Sequence, residues 1–204
     1  MAACRIVFAL VMSLGLPGLS SATLVDRGGG LLYDTDLNVT WLADANYART
    51  SGYADTLNGA GSDGRMTWNQ AEAWVAHLVY HDPVRNVDLT GWRLPMTLQP
   101  DPACSVQAGG DSFGYRCTGS ELGHLFYKDL GGKTATSIGR AHNDSFRLFS
   151  HAPESLYWSG TAYAHDASQA WGFMLDSGSS LAGGKGNRMY VLPVRPGDVG
   201  TGTR

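Results

Sequence analysis

Gly91-Trp92-Arg93-Leu94-Pro95 is the stretch on which the fold turns, a glycine and a proline bracketing two large apolar side chains and one cation. Trp92 and Leu94 have the character of core residues, and Arg93 between them is placed to bond backbone carbonyls across a helix–sheet junction. Upstream, Thr67-Trp68-Asn69-Gln70 spells a T-x-x-Q capping box, in which Thr accepts from the N3 amide and Gln reaches back. Trp68, Ala71, Val75, Leu78 and Val79 follow at helical spacing. This helix is predicted to end near Tyr80, because Pro83 disfavours α conformation at Asp82. Downstream, Thr118-Gly119-Ser120-Glu121 offers a second capping box, with Leu122, Leu125, Phe126 and Leu130 as a buried stripe. That helix is predicted over 120–130, stopped by Gly131-Gly132. A polar loop containing Cys104 and Cys117 lies between Pro95 and this second helix.

On either side of this centre the chain reads as strands. Leu24-Val25-Asp26, Leu31-Leu32-Tyr33-Asp34 and Val39-Thr40-Trp41-Leu42 are apolar runs parted by Gly and Asp/Asn turns. In the last third, 156–161, 170–175 and 188–195 are aromatic and β-rich, with Asp176-Ser177-Gly178 and Gly183-Gly184-Lys185-Gly186 as turns. Strands, two helices, then strands predict an α+β fold, with a small mixed or antiparallel sheet and long loops.

The first residues set the compartment. Arg5 precedes an apolar run from Ile6 to about Leu16, broken by Pro17-Gly18, and Ser20 and Ala22 are small residues at the −3 and −1 sites of a cleavage point. Residues 1–22 therefore read as a secretory signal peptide, and the protein as secreted or periplasmic. The apolar run is too short to anchor in a bilayer. Residues 23–198 read as one domain and 199–204 as a flexible tail, with fraying expected from Gly197 onward. The formal net charge is −3, and the leader's only charged residue is Arg5, so the exported part is slightly more acidic still. No Lys/Arg cluster is present, which argues against nucleic acid as a partner. Removing the leader takes Cys4 with it, and in an oxidising compartment Cys104 and Cys117 are expected to form a disulfide worth about 3 kcal/mol.

The order Leu32-Tyr33-Asp34, Thr40-Trp41-Leu42, Met66-Thr67-Trp68, Gly91-Trp92-Arg93-Leu94-Pro95 and Ser120-Glu121-Leu122 resembles the Legionella collagen-like protein C-terminal domain family, catalogued as a domain of unknown function. Tyr157-Trp158-Ser159-Gly160-Thr161 and Tyr190-Val191-Leu192-Pro193-Val194-Arg195 match that family's closing strands. The resemblance spans nearly all of the chain after the leader. It implies a C-type-lectin-like fold and an exported bacterial protein; the family's name-bearer binds sulfated polysaccharides.

The expected function is a non-catalytic binding module for carbohydrate or extracellular polysaccharide. The first candidate surface is the loop joining two closing strands, where Tyr163 is suited to stack on a sugar ring and His165, Asp166 and Gln169 to bond hydroxyls. A sulfated ligand would need Arg140, Arg147, Lys185 and Arg188 gathered by the fold. Two alternatives stand beside this reading. A formylglycine-generating type of enzyme would use Cys104 and Cys117 as free thiols, and a purely structural envelope or matrix module would need no ligand. Oligomeric state is left open.

Other motifs read as structural. Gln99-Pro100-Asp101 spells a galactose-type lectin tripeptide but precedes the second helix and lacks its Trp-Asn-Asp partner. Asp34-Thr35-Asp36-Leu37-Asn38 alternates like the start of a calcium loop, yet Val39 replaces the required Gly and Ala45 the bidentate Glu. No cofactor or metal ligand is therefore assigned, and Ca²⁺ lacks support. His77 and His81 are spaced as zinc ligands on one helix would be, but without the Glu of H-E-x-x-H they read as surface residues. Gly132-Lys133-Thr134 follows a helix rather than a strand and is no P-loop, and no G-x-S-x-G is present.

Overall fold

Leu31 and Leu32 are neighbours in one strand, point to opposite faces, and are both buried. In a computed structural model, which describes residues 24–57 and 63–200, their strand β2 (Leu31–Asp34) lies inside a four-stranded antiparallel sheet. Its partners are β1 (Leu24–Asp26) and β3 (Val39–Leu42), and β3 in turn pairs with the closing strand β11 (Val194–Pro196). Leu32 and Trp41 pack with Leu122, Leu125 and Phe126 on one face, while Leu31 and Leu42 pack with Trp74, Trp92 and Trp158 on the other. A sheet covered on both faces needs apolar residues at consecutive positions, which is why Leu31-Leu32 and Trp41-Leu42 do not alternate.

A helix covers each face. A single turn, α1 (Tyr47–Thr50), and a 3-10 turn at Tyr53–Thr56 precede α2 (Trp68–His77), which buries Ala71, Trp74 and Val75. The capping box at Thr67 forms as expected, the Gln70 side chain accepting from the Thr67 amide at 2.9 Å. The end of α2 differs from expectation. The helix stops at His77, and Tyr80–Asp82 is instead β4, paired with β5 (Val87–Leu89) in a hairpin. Val79, assigned to the apolar face, is exposed. Asn86 supplies the left-handed residue of the hairpin turn, with φ 52°.

The second helix is also shorter and less regular than predicted. It comprises α3 (Glu121–His124) and a π-turn over Leu125–Asp129, with Leu122, Leu125, Phe126 and Leu130 buried as expected. The second capping box does not form. Ser120 Oγ accepts from the Leu98 amide, and Glu121 is taken by Arg93.

The polar loop before α3 is a hairpin, β6 (Val106–Ala108) and β7 (Asp111–Tyr115), turning at Gly109-Gly110. It extends a second antiparallel sheet in the order β6-β7-β10-β9-β8, built with β8 (Leu156–Ala162), β9 (Gln169–Met174) and β10 (Ser179–Gly184). Cys104 and Cys117 form the expected disulfide at the root of this hairpin. Gly123 of α3 lies so close to the Cys117 carbonyl that a Cβ there would collide with backbone, which seats the helix on the disulfide segment. The stretch 188–193 forms no continuous strand and carries single bridges, Met189 to Met66 and Tyr190 to Tyr157, before β11 begins. The architecture is thus α+β, with antiparallel sheets and few helices.

The signal peptide expected at 1–22 lies outside the described residues, as does 201–204. Gly197–Gly200, expected to fray, are instead held by the fold. Gly197 bonds Asn38 and Thr40, Asp198 takes a bidentate grip from Arg27, and the Gly200 carbonyl accepts from Arg85. Arg85 also binds the Arg27 carbonyl and the fully buried Asp82 carboxylate, joining the β4–β5 hairpin to both ends of the described chain. Burial alone would raise the Asp82 pKa, but the Arg85 guanidinium and the amides of Val84 and Arg85 hold it below the usual carboxylate range. A depressed carboxyl stabilises the fold above its unfolded pKa, and that contribution is lost as pH falls through the lower folded value. Asp82→Asn is therefore expected to lower stability at pH 7 by about 3 kcal/mol. The gap to wild type should close below about pH 4, as checked by urea denaturation across pH.

Candidate functional site

The loop between β8 and β9 is ordered by its own polar groups. Asp166 Oδ1 accepts from the Ser168 amide and hydroxyl at 2.9 and 2.7 Å, and Oδ2 accepts from Gln169 Nε2 at 2.8 Å. These bonds hold the Asp166 carboxyl below its usual range, as does, more weakly, the Lys185 charge. The Tyr163 hydroxyl donates to Asp111 Oδ2 at 2.9 Å, and His165 Nε2 lies 3.6 Å from Asp111 Oδ1. The Tyr163 ring meets His165 and Trp171 edge-on. The fold thus brings Tyr163, His165, Asp166 and Gln169 together, but their polar atoms close the loop and tie it to the β6–β7 hairpin. A sugar hydroxyl would have to displace these bonds rather than complete them.

Gln99-Pro100-Asp101 has a cis Gln99–Pro100 bond, and its side chains are also spent internally. Gln99 bonds both backbone groups of Ser112, at 2.7 and 2.8 Å. Asp101, 1% exposed, accepts from the amides of Ala103 and Gly119. The tripeptide braces the hairpin. Of the basic residues, Lys185 lies over the Trp68 ring at 4.2 Å, and Arg147 sits beside Asp144. His77 and His81 do not share a helix. His77 bonds the Ala73 carbonyl on α2, and His81 pairs with Asp88 across the β4–β5 hairpin. With their sulfurs joined and nearly buried, Cys104 and Cys117 offer no thiols of the kind a formylglycine-generating chemistry uses.

Asp34–Asn38 forms the turn its composition suggests. Asp34 Oδ1 accepts from the amides of Asp36 and Leu37, and Asn38 adopts φ 51°.

A groove of about 650 Å³ opens elsewhere, between the α1 segment and α2. Tyr53 stacks on Trp74 with ring centroids 5.7 Å apart and planes 25° from parallel. Tyr47 forms a second wall, itself packed edge-on against Tyr80. Ser51, Thr56 and His77 add polar groups to the lining. Two tyrosines beside a buried tryptophan, with hydroxyls around the rim, suit a ligand that is apolar on one face and hydroxylated at its edges. Trp74 is buried in the core, and Tyr53 covers it. These residues come from two elements, and no local pattern marks the pair.

Searches against family models, curated proteins and solved structures return no match for this chain.

Asp166→Ala is expected to raise amide hydrogen exchange at Ser168 and Gln169 and to change global stability little. Exchange mass spectrometry checks this; unchanged protection would mean that the carboxylate does not order the loop.

Proposed function

We propose that this chain is an exported, non-catalytic recognition domain of C-type-lectin-like architecture, secreted or periplasmic, that takes carbohydrate of an extracellular polysaccharide in the groove between α1 and α2. The observation that carries this reading is the Tyr53–Trp74 stack forming the wall of an open groove with hydroxyl and imidazole groups at its rim. A pyranose ring presents C–H groups on one face and hydroxyls around its edge, which is the chemistry such a wall receives. The lectin-like part of the reading is supported by the first and last strands sharing one sheet, a second antiparallel sheet built from the closing strands, and two helices. The β8–β9 loop is relegated to a supporting role because its polar atoms are satisfied within the fold.

A glycan-array screen of the exported protein, followed by titration calorimetry on any hit, tests the proposal. Saturable binding should weaken about tenfold in Tyr53→Ala, the loss of one stacking contact, and change little in Tyr163→Ala. Binding lost in Tyr163→Ala but intact in Tyr53→Ala would overturn the groove as the site. No saturable glycan at all would overturn carbohydrate as the ligand.

A further inference from the structure

Asp34 at the end of β2, Asp36 in the turn after it, His124 at the end of α3 and Asp129 in the π-turn converge between the first sheet and the second helix. Asp34 and Asp129 are 0% and 1% exposed. Neither Asp129 oxygen has a hydrogen-bond donor, and the buried His124 Nε2 has no partner. That nitrogen lies 3.9 Å from Asp129 Oδ2 and 3.9 Å from Asp36 Oδ2. One donor atom each from Asp34, His124 and Asp129 falls within 4.8 Å of the other two. Among the described residues no lysine or arginine pairs with any of these carboxylates. Two adjacent buried carboxylates without a compensating charge are costly, and the three unpartnered atoms of Asp129 and His124 lie where compensation belongs.

We propose that these four residues bind a divalent transition-metal cation, with Zn²⁺ as the probe of choice, in a structural site that pins α3 to the β2–β3 turn. The donor set decides the class of ion. An imidazole nitrogen with carboxylate oxygens suits zinc, whereas Ca²⁺ takes six to eight oxygen ligands. Four-coordinate zinc at roughly 2.0–2.1 Å needs donors about 3.3 Å apart. The two His124 contacts, at 3.9 Å, exceed this by about half an ångström, and the donors of Asp34, His124 and Asp129 lie within 4.8 Å of one another, so side-chain rotation has to draw the set together around the ion. Asp34 is already oriented from behind: Oδ1 accepts from two amides, and Oδ2 lies 3.4 Å from the Trp41 indole N–H. Such outer bonds fix a ligand's direction before the metal arrives. Asp36, whose side chain is 32% exposed, gives the cation its path from solvent and closes the fourth position. With four protein ligands the site is closed, which marks it as structural rather than catalytic.

A proton is the competing occupant. Burial, the charge of Asp34, a hydrogen bond to the Asp34 carboxyl and the charge of Asp36 push Asp129 up to about 8, so that without a cation a proton held between the two carboxyls would relieve the repulsion. The test therefore separates metal from proton. The exported protein is stripped with chelator and titrated with ZnCl₂ by calorimetry at pH 7.5, with thermal unfolding followed in parallel. One equivalent should bind, raise Tm, and weaken about a hundredfold in both Asp129→Asn and His124→Gln. Near-ultraviolet circular dichroism shows whether each variant is folded. For a variant that is not, Co²⁺ added to wild type provides the second readout, since visible d–d bands of four-coordinate intensity report the same site. No saturable uptake by wild type would overturn the proposal and leave the proton as occupant. Uptake equal in wild type and in both folded variants would overturn it in favour of surface histidines.

Discussion

The Arg93 guanidinium meets the Glu121 carboxylate at two points, each 2.7 Å, and around this pair the rest of the molecule is assembled. The Arg93 backbone exchanges two hydrogen bonds with Val194, so the Gly-Trp-Arg-Leu-Pro segment continues the first sheet beyond β11. Its side chain holds the start of α3, while Glu121 also accepts from the Met96 amide and the Glu121 amide donates to the Met96 carbonyl. On the other side Trp92 and Leu94 fill the second core cluster. The Pro95 carbonyl accepts from Gly160 in β8, and Thr97 exchanges bonds with the Thr161 hydroxyl. One strap thus stitches two sheets, a helix and both faces of the core. A bidentate, half-shielded charge pair suits this place because it fixes direction as well as distance.

That strap explains why the chain's chemistry gathers where it does. With α3 held at its N-terminal end by Arg93, the following turn carries His124 and Asp129 against Asp34 and Asp36 on the first sheet. On the far face, α2 packs Trp74 into the second cluster and leaves Tyr53 and Tyr47 to line a groove open to solvent. The β8–β9 loop lies at the edge of the second sheet, where Asp111 of the disulfide-rooted hairpin occupies the Tyr163 hydroxyl. The two candidate surfaces therefore differ: the loop is closed by internal bonds, and the groove presents aromatic surface.

Much of the framework was legible because its signals are local. The start of α2 is written in Thr67 and Gln70, the buried stripe of the second helix in Leu122, Leu125, Phe126 and Leu130, and the disulfide in cysteine count and compartment. The end of α2 was not, because Leu78 and Val79 continue helical spacing into residues that prefer to pair with Val87–Leu89. The hairpin at 106–115 did carry a signal: Gly109-Gly110 between Val106 and Phe113 is a tight-turn dipeptide flanked by strand residues. Glu121 reads locally as a cap, and only Arg93, far away in sequence, redirects it. The same holds for the candidate sites. Asp34 and Asp36 show half of a ligand set in one turn, but His124 and Asp129 reach them through the fold alone, and no spacing rule joins Tyr53 to Trp74.

The most direct test of this account is a double-mutant cycle on Arg93→Met and Glu121→Gln, with stability read by urea denaturation at pH 7. The account predicts a coupling of about 2 kcal/mol between the two sites, each single variant losing nearly as much as the pair. Additivity within about 0.3 kcal/mol would contradict it, and would mean that the strap is held by its apolar side chains and backbone bonds without the charge pair.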